Sequence, residues 1–499
     1  MNHSRHIFLL AIAISSSLFS PCFSQTAARF RTWTDATGKY TVEAKFLEIK
    51  LGKVKLQRRN GKVIEISLTR LSRADRRLAQ DAARPDADAT TQVVASEALN
   101  LDWPQWRGPN RDGISTETGL MDRWPDEGPR ELWRTRGLGR GYASVSIAGG
   151  KIFSMGRLQG QTHIVALDVA DGEVLWTVPV GGGGDPNCTP TVDGALVFGL
   201  SHGGDLLCAD VNSGEAIWKK RFPDDFGGKM MSGWGYSESP LVDGDKLVCT
   251  PGAPDAIIAA LDKRTGKAIW KTGMANAGSR GRDGAAYSSI VIGNGGGVRQ
   301  YVQLVGRGVI GVDANNGRLL WGYNRTANGT ANVPTPVIKS DFVFCSTGYG
   351  AGAALLRLSG RRGQISAEEV YFKNGNDLQN HHGGMILLGD HVYMGHGHNN
   401  GHPVCVNLST GRDAWRPGRG PGTGSAAITC ADGHLYFRYQ NGVMALIEAT
   451  PESYKLKGSF TIGINNGNSW AHPVISNGRL YLRDQDEMIC YDIRNPTGS

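Results

Sequence analysis

The chain lacks the short motifs typical of hydrolases and nucleotide-binding proteins. It has no phosphate-binding glycine loop, no helical His-Glu-x-x-His pair and no recognisable Ser-His-Asp arrangement. Such motifs place defined groups around a reacting atom, so hydrolase functions have no specific support without them. Charged residues are also scarce, at 20% of the 499 residues, whereas glycine is abundant, with 69 residues. This composition favours many short strands joined by tight turns.

The positive charge of the chain does not form a nucleic-acid footprint. The formal net charge is +8. Residues 29–100 carry +6 of it and Arg5 one more, so residues 101–499 are left near +1. A protein that binds a phosphate backbone concentrates Lys and Arg on its main domain. The charge distribution therefore argues against nucleic acid as a partner.

The N-terminus has the anatomy of a signal peptide. Arg5 precedes an apolar run from Ile7 to Phe19, and small residues surround Cys22. We expect a signal peptide over residues 1–24, cleaved after Ser24, and an exported protein of the periplasm, cell envelope or extracellular space. An uncleaved anchor is the alternative, although the run is shorter than the ~20 residues of a spanning helix. No later segment is apolar enough to span a membrane, and Pro21 disfavours lipidation of Cys22.

Seven cysteines follow the predicted cleavage site. They recur at equivalent repeat positions rather than in paired clusters, and Cys208, Cys405 and Cys490 each begin a C-x-[DN] pattern. An exported chain permits disulfides. The spacing instead predicts that these cysteines are small buried apolar residues.

Residues 29–80 predict a small β-barrel of the SH3-like type. Apolar residues alternate with polar ones in several short runs, and turns at Gly38, Gly52 and Asn60-Gly61 separate the runs. The stretch "RTWTDATGKYTVEAKF…GKVKLQRRNGKVIEISLTRLS" resembles Sla-one homology domain one. That resemblance implies peptide or protein binding, with Trp33 and Tyr40 as candidate contacts. The alternative is that both rings fill the small core. Residues 81–100, rich in Ala, Asp and Thr, read as a linker.

Internal repeats dominate the chain from residue 101 onward. The unit ends in a turn and a tryptophan, as in "ALDVADGEVLW", "CADVNSGEAIW" and "ALDKRTGKAIW", and it recurs about every 40 to 50 residues. This period corresponds to one propeller blade. Eight apolar strand pairs open the units, so residues 101–499 predict an eight-bladed β-propeller whose last blade is closed by the strand around Trp133. We expect the repeat tryptophans to be structural filler between blades: Trp133, Trp176, Trp218, Trp270, Trp321 and Trp415.

These repeats resemble the quinoprotein-type propeller repeat. That repeat is shared by pyrroloquinoline-quinone (PQQ) dehydrogenases and by the BamB assembly lipoproteins. Further stretches, including "WPQWRGPNRDGIS" and "NHHGGMILLGDHVY", look like exported bacterial PQQ-binding-like propellers that are often fused to the Sla-type module. The resemblance implies an all-β chain, an eight-bladed propeller after an SH3-like module. It implies a fold more directly than an activity, because propellers host unrelated functions.

The propeller channel supplies the candidate ligand site. The first strand of each blade lines the channel, so the residues just before it should converge near the axis. A funnel with convergent polar groups is the default ligand site, and the alternative is that these residues only suit a crowded, wet axis. The candidate ring comprises Tyr142, Asn187, Tyr236, Glu238, Tyr287, His381, His382, Trp470 and His472.

Two cofactor hypotheses follow from this ring. A metal could be held by His381, His382, His472 and Glu238 if they meet at one ion. PQQ with calcium would need stacking groups, cations and a base, to which Glu238, Asp283, Arg280 and Arg282 could contribute. The adjacent Cys-Cys pair that many such dehydrogenases place over the quinone is missing. No catalytic residue and no metal ligand is assigned.

The sequence favours recognition over catalysis. The leading hypothesis is an exported, non-catalytic envelope scaffold, a monomeric propeller that binds proteins or peptides of the envelope together with its small N-terminal module. A flexible linker between two binding parts permits bivalent engagement. One alternative is a PQQ- or metal-dependent oxidoreductase of quinoprotein type with its site in the channel. The other is a BamB-like role in outer membrane protein assembly.

Overall fold

The computed structural model describes residues 30–50, 53–67, 70–72, 75–76, 78–79, 102–274, 278–463 and 467–496. The chain divides into two compact units, residues 1–99 and 100–499. The predicted signal peptide (1–24) and linker (81–100) lie outside the described residues. Within the described residues, no helix is both long and apolar enough to cross a membrane.

The N-terminal unit is built on a four-stranded antiparallel sheet. Its strands are β1 (Arg31–Thr34), β2 (Thr41–Lys50), β3 (Lys53–Arg58) and β4 (Val63–Ser67), paired in that order. Alternate residues of these strands point to one face, which accounts for the alternation in the sequence. On that face, Trp33, Ala44, Val54 and Leu56 form the core together with Leu71 and Ala79, which follow the strands.

The second unit contains thirty-two strands in the residues that the structure describes. They are β5 (Arg130–Thr135), β6 (Ser146–Ala148), β7 (Lys151–Leu158), β8 (Gln161–Asp168), β9 (Val174–Gly181), β10 (Thr191–Asp193), β11 (Leu196–Leu200), β12 (Asp205–Asp210), β13 (Ala216–Arg221), β14 (Leu241–Asp243), β15 (Lys246–Cys249), β16 (Ile258–Asp262), β17 (Ala268–Thr272), β18 (Val291–Gly293), β19 (Gln300–Val305), β20 (Gly308–Asp313), β21 (Leu319–Tyr323), β22 (Val337–Lys339), β23 (Phe342–Thr347), β24 (Gly352–Arg361), β25 (Gln364–Lys373), β26 (Met385–Leu388), β27 (His391–His396), β28 (His402–Asn407), β29 (Asp413–Trp415), β30 (Ala426–Ala431), β31 (His434–Tyr439), β32 (Val443–Glu448), β33 (Leu456–Thr461), β34 (Val474–Ser476), β35 (Arg479–Asp484) and β36 (Glu487–Asp492). One short helix, α1 (Phe222–Phe226), follows β13.

These strands form eight antiparallel four-stranded sheets, which we number as blades 1 to 8. Blades 1 to 7 take consecutive strands, from β6–β9 through β30–β33. Blade 8 combines β34, β35 and β36 with β5 from the start of the unit, and Cys490 of β36 pairs with Trp133 of β5. Joining the first and last strands of the second unit in one blade leaves the ring without an open junction. The all-β, eight-bladed fold predicted from the repeats is confirmed.

A tryptophan–glycine contact joins neighbouring blades. Gly214, in the turn before the outer strand of blade 2, has φ +74°, and a Cβ there would lie 2.6 Å from the ring of Trp176 in blade 1. The same arrangement joins Trp218 to Gly266 and Trp270 to Gly317. Each of these three glycines therefore makes a tight turn and also leaves room for the preceding blade's tryptophan.

The contact is different where blade 5 meets blade 6. In blade 5, which has no repeat tryptophan, Tyr371 takes its place and faces Gly411 of the next blade. Its hydroxyl donates to the Leu408 carbonyl at 2.8 Å. An aromatic ring against the turn is therefore retained where the sequence motif is degenerate.

The seven cysteines that the structure describes are free and buried. Burial raises the pKa of the Cys188 thiol to about 12. A protonated thiol is a poor nucleophile and metal ligand. The prediction that these residues act as small apolar side chains is confirmed.

Candidate ligand site in the propeller channel

A segment ahead of the first blade, residues 102–120, crosses one end of the channel; we call it the strap. It binds the turns that follow the innermost strands of three blades. The Gly149 amide approaches the Asp102 carboxylate, the Gly478 amide donates to Glu117, and the Leu120 amide donates to Asp432. The strap therefore lies at the turn end of the channel.

The strap also enters the channel and pairs with its walls. The Ile147 amide donates to the Trp103 carbonyl at 2.7 Å, and the Cys430 amide donates to the Gly113 carbonyl at 2.8 Å. Arg111 donates through Nη2 to the Ser239 carbonyl at 2.7 Å. These contacts reach blades 1, 3 and 7 at once. The strap thus forms a floor across the channel.

Above this floor lies a cavity of about 360 Å³. The first strands of the blades supply its walls in layers, because residues two apart on extended backbone point the same way. The upper layer comprises Tyr142, Asn187, Ser237, Tyr287, Val333, His382 and Trp470, and the layer below comprises Ser239, Ser289, Thr335, Gly384 and His472. The strap contributes Trp106 and Arg107.

Seven of the nine residues predicted for the ring line this cavity: Tyr142, Asn187, Tyr287, His381, His382, Trp470 and His472. Tyr236 and Glu238 do not, because they alternate with Ser237 and Ser239 and point away from the channel. The Tyr236 hydroxyl donates to the Pro251 carbonyl at 3.0 Å. Glu238 is buried and accepts hydrogen bonds from the amide and hydroxyl of Thr250 at 2.6 and 2.8 Å.

Hydroxyl groups of the lower layer connect one blade to the next. The Thr189 amide donates to Ser239 Oγ at 2.9 Å, and the Ser239 amide donates to Ser289 Oγ at 3.0 Å. The Ser144 amide begins the series by donating to Thr189 Oγ1 at 3.2 Å. These side chains therefore brace the inner edge of the ring.

Aromatic rings form one wall and mark the mouth of the cavity. The rings of Tyr142 and Trp470 lie 4.6 Å apart at an interplanar angle of 33°. Trp106 meets His472 edge to face, with ring centroids 4.5 Å apart. Trp234 remains 49% exposed and contacts Tyr287. Such surfaces suit a ligand with a flat or apolar body.

The imidazoles of the cavity are neutral at physiological pH. Burial, reinforced by His398, lowers the pKa of His381 to about 4. Burial and the nearby Arg107 lower the pKa of His472 to about 3, and burial holds the pKa of His382 well below its usual value. His381 interacts through Nδ1 with Ser425 Oγ at 2.6 Å. These rings can exchange hydrogen bonds with a ligand, but they are poorly matched to proton transfer near pH 7.

The metal hypothesis does not fit this geometry. Among the described residues, no group of three or more His, Cys, Asp and Glu side chains could hold a metal ion. Glu238 faces away from the three histidines that were expected to join it.

The other charged residues named for PQQ do not line the cavity either. Asp283 forms an ion pair with Arg307 at 2.7 Å, and neither Arg280 nor Arg282 lines the cavity.

In the N-terminal unit the two candidate contacts behave differently. Trp33 is 1% exposed and donates from Nε1 to the Ala44 carbonyl at 2.9 Å, so it is a core residue rather than a contact. Tyr40 is 74% exposed. Trp33 pairs with Val42 of the neighbouring strand, and Val42 packs against the core. Both side chains therefore lie on the core face of the sheet.

Sequence reasoning did not identify the strap. Its stretch "WPQWRGPNRDGIS" stood out only as a resemblance, because it has no copy elsewhere in the chain. Arg107 and Arg111 adopt φ of 60° and 58°, a conformation that non-glycine residues rarely adopt. Two prolines and two glycines among thirteen residues are the only local sign of such a compact loop.

Two family models match the chain. A model described as outer membrane protein assembly factor BamB covers residues 160–417, more than half of the chain. A model of SLA1 homology domain 1 covers residues 24–86.

Curated relatives match parts of the chain. BamB of Burkholderia pseudomallei is 30% identical over 117 residues, which are 22% of this chain and 27% of that protein. The actin cytoskeleton-regulatory complex protein SLA1 of Mycosarcoma maydis is 37% identical over 68 residues, 14% of this chain and 6% of that protein. The chain thus spans about a quarter or less of these relatives.

Solved structures show the same fold at low identity. The quinohemoprotein alcohol dehydrogenase ADHIIG of Pseudomonas putida HK5 has a TM-score of 0.56 and 13% identity, over 80% of this chain and 81% of that one. At this identity the likeness concerns architecture. With a family model over more than half of its length, the chain belongs to the family of outer membrane protein assembly factor BamB, and it carries an SLA1 homology domain 1 ahead of its repeats.

Proposed function

We propose that this protein is an exported binding protein of the cell envelope that acts by recognition, as a scaffold, rather than by catalysis. The observation that carries the proposal is the aromatic cavity of the channel, which has an exposed tryptophan in its lining. The strap bridges blades 1, 3, 7 and 8 at the turn end, and the exposed Trp234 belongs to the lining of the aromatic cavity. An exposed large aromatic residue at a concave mouth is a typical anchor for a partner.

The family supports this assignment. The matched model is described as outer membrane protein assembly factor BamB, and we take protein assembly to be a task of recognition. The N-terminal unit adds an SLA1 homology domain 1, and its exposed Tyr40 is the candidate contact for a peptide. Two binding parts in one chain raise the effective concentration of a partner that engages both.

The calcium–PQQ pair does not fit the cavity. Ca²⁺ takes six to eight oxygen ligands, with carboxylates prominent among them. Asp185 is the one carboxylate in the cavity lining of the described residues, and it lies 3.6 Å from Arg140 and 3.8 Å from Arg157. Glu238, the base that the quinone hypothesis needs, is turned away and held by Thr250. The proposal therefore uses no quinone chemistry.

Site-specific photo-crosslinking tests the proposal. A photoreactive amino acid replaces Trp234 in cells that produce the full chain, and the matched control replaces Ile217, equally exposed on the outer strand β13. We expect a discrete crosslinked envelope protein from position 234 and not from position 217. Equal labelling at both positions would contradict the proposal. So would PQQ- and Ca²⁺-dependent oxidation of an alcohol by the purified protein.

A further inference from the structure

Arg107 is a buried cation whose donors are only partly used. It is 5% exposed and lines the cavity floor. Its Nη2 donates to the Asp112 carbonyl at 2.7 Å and to the Met385 carbonyl, which fixes the guanidinium to the strap and to blade 6. Its Nε and Nη1 are buried without a hydrogen-bond partner among the described residues. Unused donors on a buried charge are costly unless a ligand meets them.

The strap holds a second arginine that serves as an internal comparison. Arg111 is as deeply buried, but its two terminal nitrogens donate to Gln105 and to the carbonyls of Ser239 and Pro240. Arg111 is not part of the cavity lining. Of these two strap cations, only Arg107 therefore faces the cavity.

Among the described residues, no carboxylate of the cavity pairs with Arg107. Asp185, in the lining, approaches Arg140 and Arg157 instead. Asp112 attracts Arg107 at longer range, but its Oδ1 accepts from the Ile114 amide and it contacts Arg107 through the backbone carbonyl. Burial lowers the pKa of Arg107 to about 10, which still leaves it charged at neutral pH. The floor of the cavity is therefore positive.

Neutral hydrogen-bonding groups surround this charge. A Cβ on Gly384, which has φ +77°, would overlap Arg107 Nη1 and lie 2.9 Å from His472 Cε1, so both atoms border the same small space. His472 Nδ1 and His382 Nε2 are also buried without a partner among the described residues. The flat rings of Trp470 and Tyr142 stand on the adjoining wall.

We infer that the cavity binds a small organic acid with a flat ring, its carboxylate on Arg107 and its ring against the aromatic wall of Trp470 and Tyr142. Arginine pairs with carboxylates through charge-assisted hydrogen bonds. A cavity of about 360 Å³ accepts a molecule of a few fused rings at most. This inference rests on the proposed function only in taking the channel cavity as a binding site.

Calorimetric titration of the full chain with 2-naphthoate and 2-naphthamide tests the inference. The two probes share a ring system and differ in charge. We expect 2-naphthoate to bind roughly 10- to 100-fold more tightly, as expected for a charge-assisted hydrogen bond. Equal affinity, or no binding of 2-naphthoate, would overturn the inference. Either result leaves the crosslinking at Trp234 unchanged, so the two proposals can fail separately.

Variants of the two strap arginines locate the contact. Arg107→Met should lose the preference for 2-naphthoate, whereas Arg111→Met should keep it, although both remove a buried cation from the strap. Arg107→Lys keeps the charge and should retain part of the preference if Arg107→Met does not fold. Circular dichroism confirms folding first. A folded Arg107→Met protein with unchanged preference would overturn the assignment.

Discussion

The outer and inner layers of the propeller follow different rules. In the outer layer, Trp176, Trp218 and Trp270 each meet a turn glycine of the next blade in the same way. In the channel, equivalent positions of successive blades hold different groups, such as Tyr142, Asn187 and Trp470. Identical contacts build a ring, but a ligand site needs different groups from each blade. The layer that varies is therefore where function is expected.

A buried ion pair between blades 7 and 8 tests how far the stability of the ring depends on contacts that are not repeated. Arg438 of blade 7 is fully buried, and its Nη2 donates to Asp484 of blade 8 at 3.0 Å. Its Nη1 donates to the carbonyls of Ala471 and Arg483. Arg438→Met leaves Asp484 buried without its cation, and we expect a loss of about 3–5 kcal/mol in the free energy of unfolding.

Urea unfolding measures this loss. Lys271→Met is the control, because Lys271 pairs with Asp255 and both side chains are exposed. Exposed pairs contribute about 0–1 kcal/mol. Should both variants lose the same small amount, the junction between blades 7 and 8 would not depend on its buried charges.

Replacing Glu238 should change how the free energy of unfolding depends on pH. Burial raises its pKa to about 8 in the folded protein, above the ordinary value of 4.5. Between these two values the folded state binds more protons than the unfolded state, so stability falls as pH rises from about 4.5 to about 8. Glu238→Gln removes this dependence. Relative to wild type, we expect the variant to gain about 3–4 kcal/mol between pH 5 and pH 8.

The measurement is urea unfolding at pH 5, 6, 7 and 8. Glu448→Gln is the control, because Lys455 and Lys457 lower the pKa of Glu448 and it lies at the surface. Its replacement should produce no relative gain as pH rises. A Glu238→Gln curve parallel to wild type would show that Glu238 is ionised at pH 7 despite its burial.

The fold was predictable because it repeats, and the site was predictable only in part. Period-two alternation and the recurring Trp identified the blades, since six of the eight blades carry that Trp. The ring prediction failed at Tyr236 and Glu238 because a shift of one residue on extended backbone reverses the side chain. Arg107 was not predictable, because its loop has no repeated copy and its partners are backbone carbonyls, one in the strap and one in blade 6.

The smallest expected effect on stability comes from turn glycines. It separates the need for a positive φ from the need for space beside a tryptophan. Gly194 and Gly214 both adopt positive φ, at +58° and +74°. A Cβ on Gly194 would meet nothing within 4 Å, whereas a Cβ on Gly214 would lie 2.6 Å from Trp176. Gly194→Ala should therefore cost only the backbone strain, about 1–2 kcal/mol. Gly214→Ala should cost about 1–3 kcal/mol more, because the Trp176 ring has to move.

Thermal and urea unfolding of the two variants measure the difference. Equal losses would mean that the glycine is required only by its turn and that the tryptophan packs without it. A larger loss for Gly214→Ala that shrinks when Trp176 is also replaced by Leu would assign the excess to the contact between blades. That coupling would explain why glycine and tryptophan recur together in the repeat. It would also explain why the channel residues, free of this constraint, can differ from blade to blade.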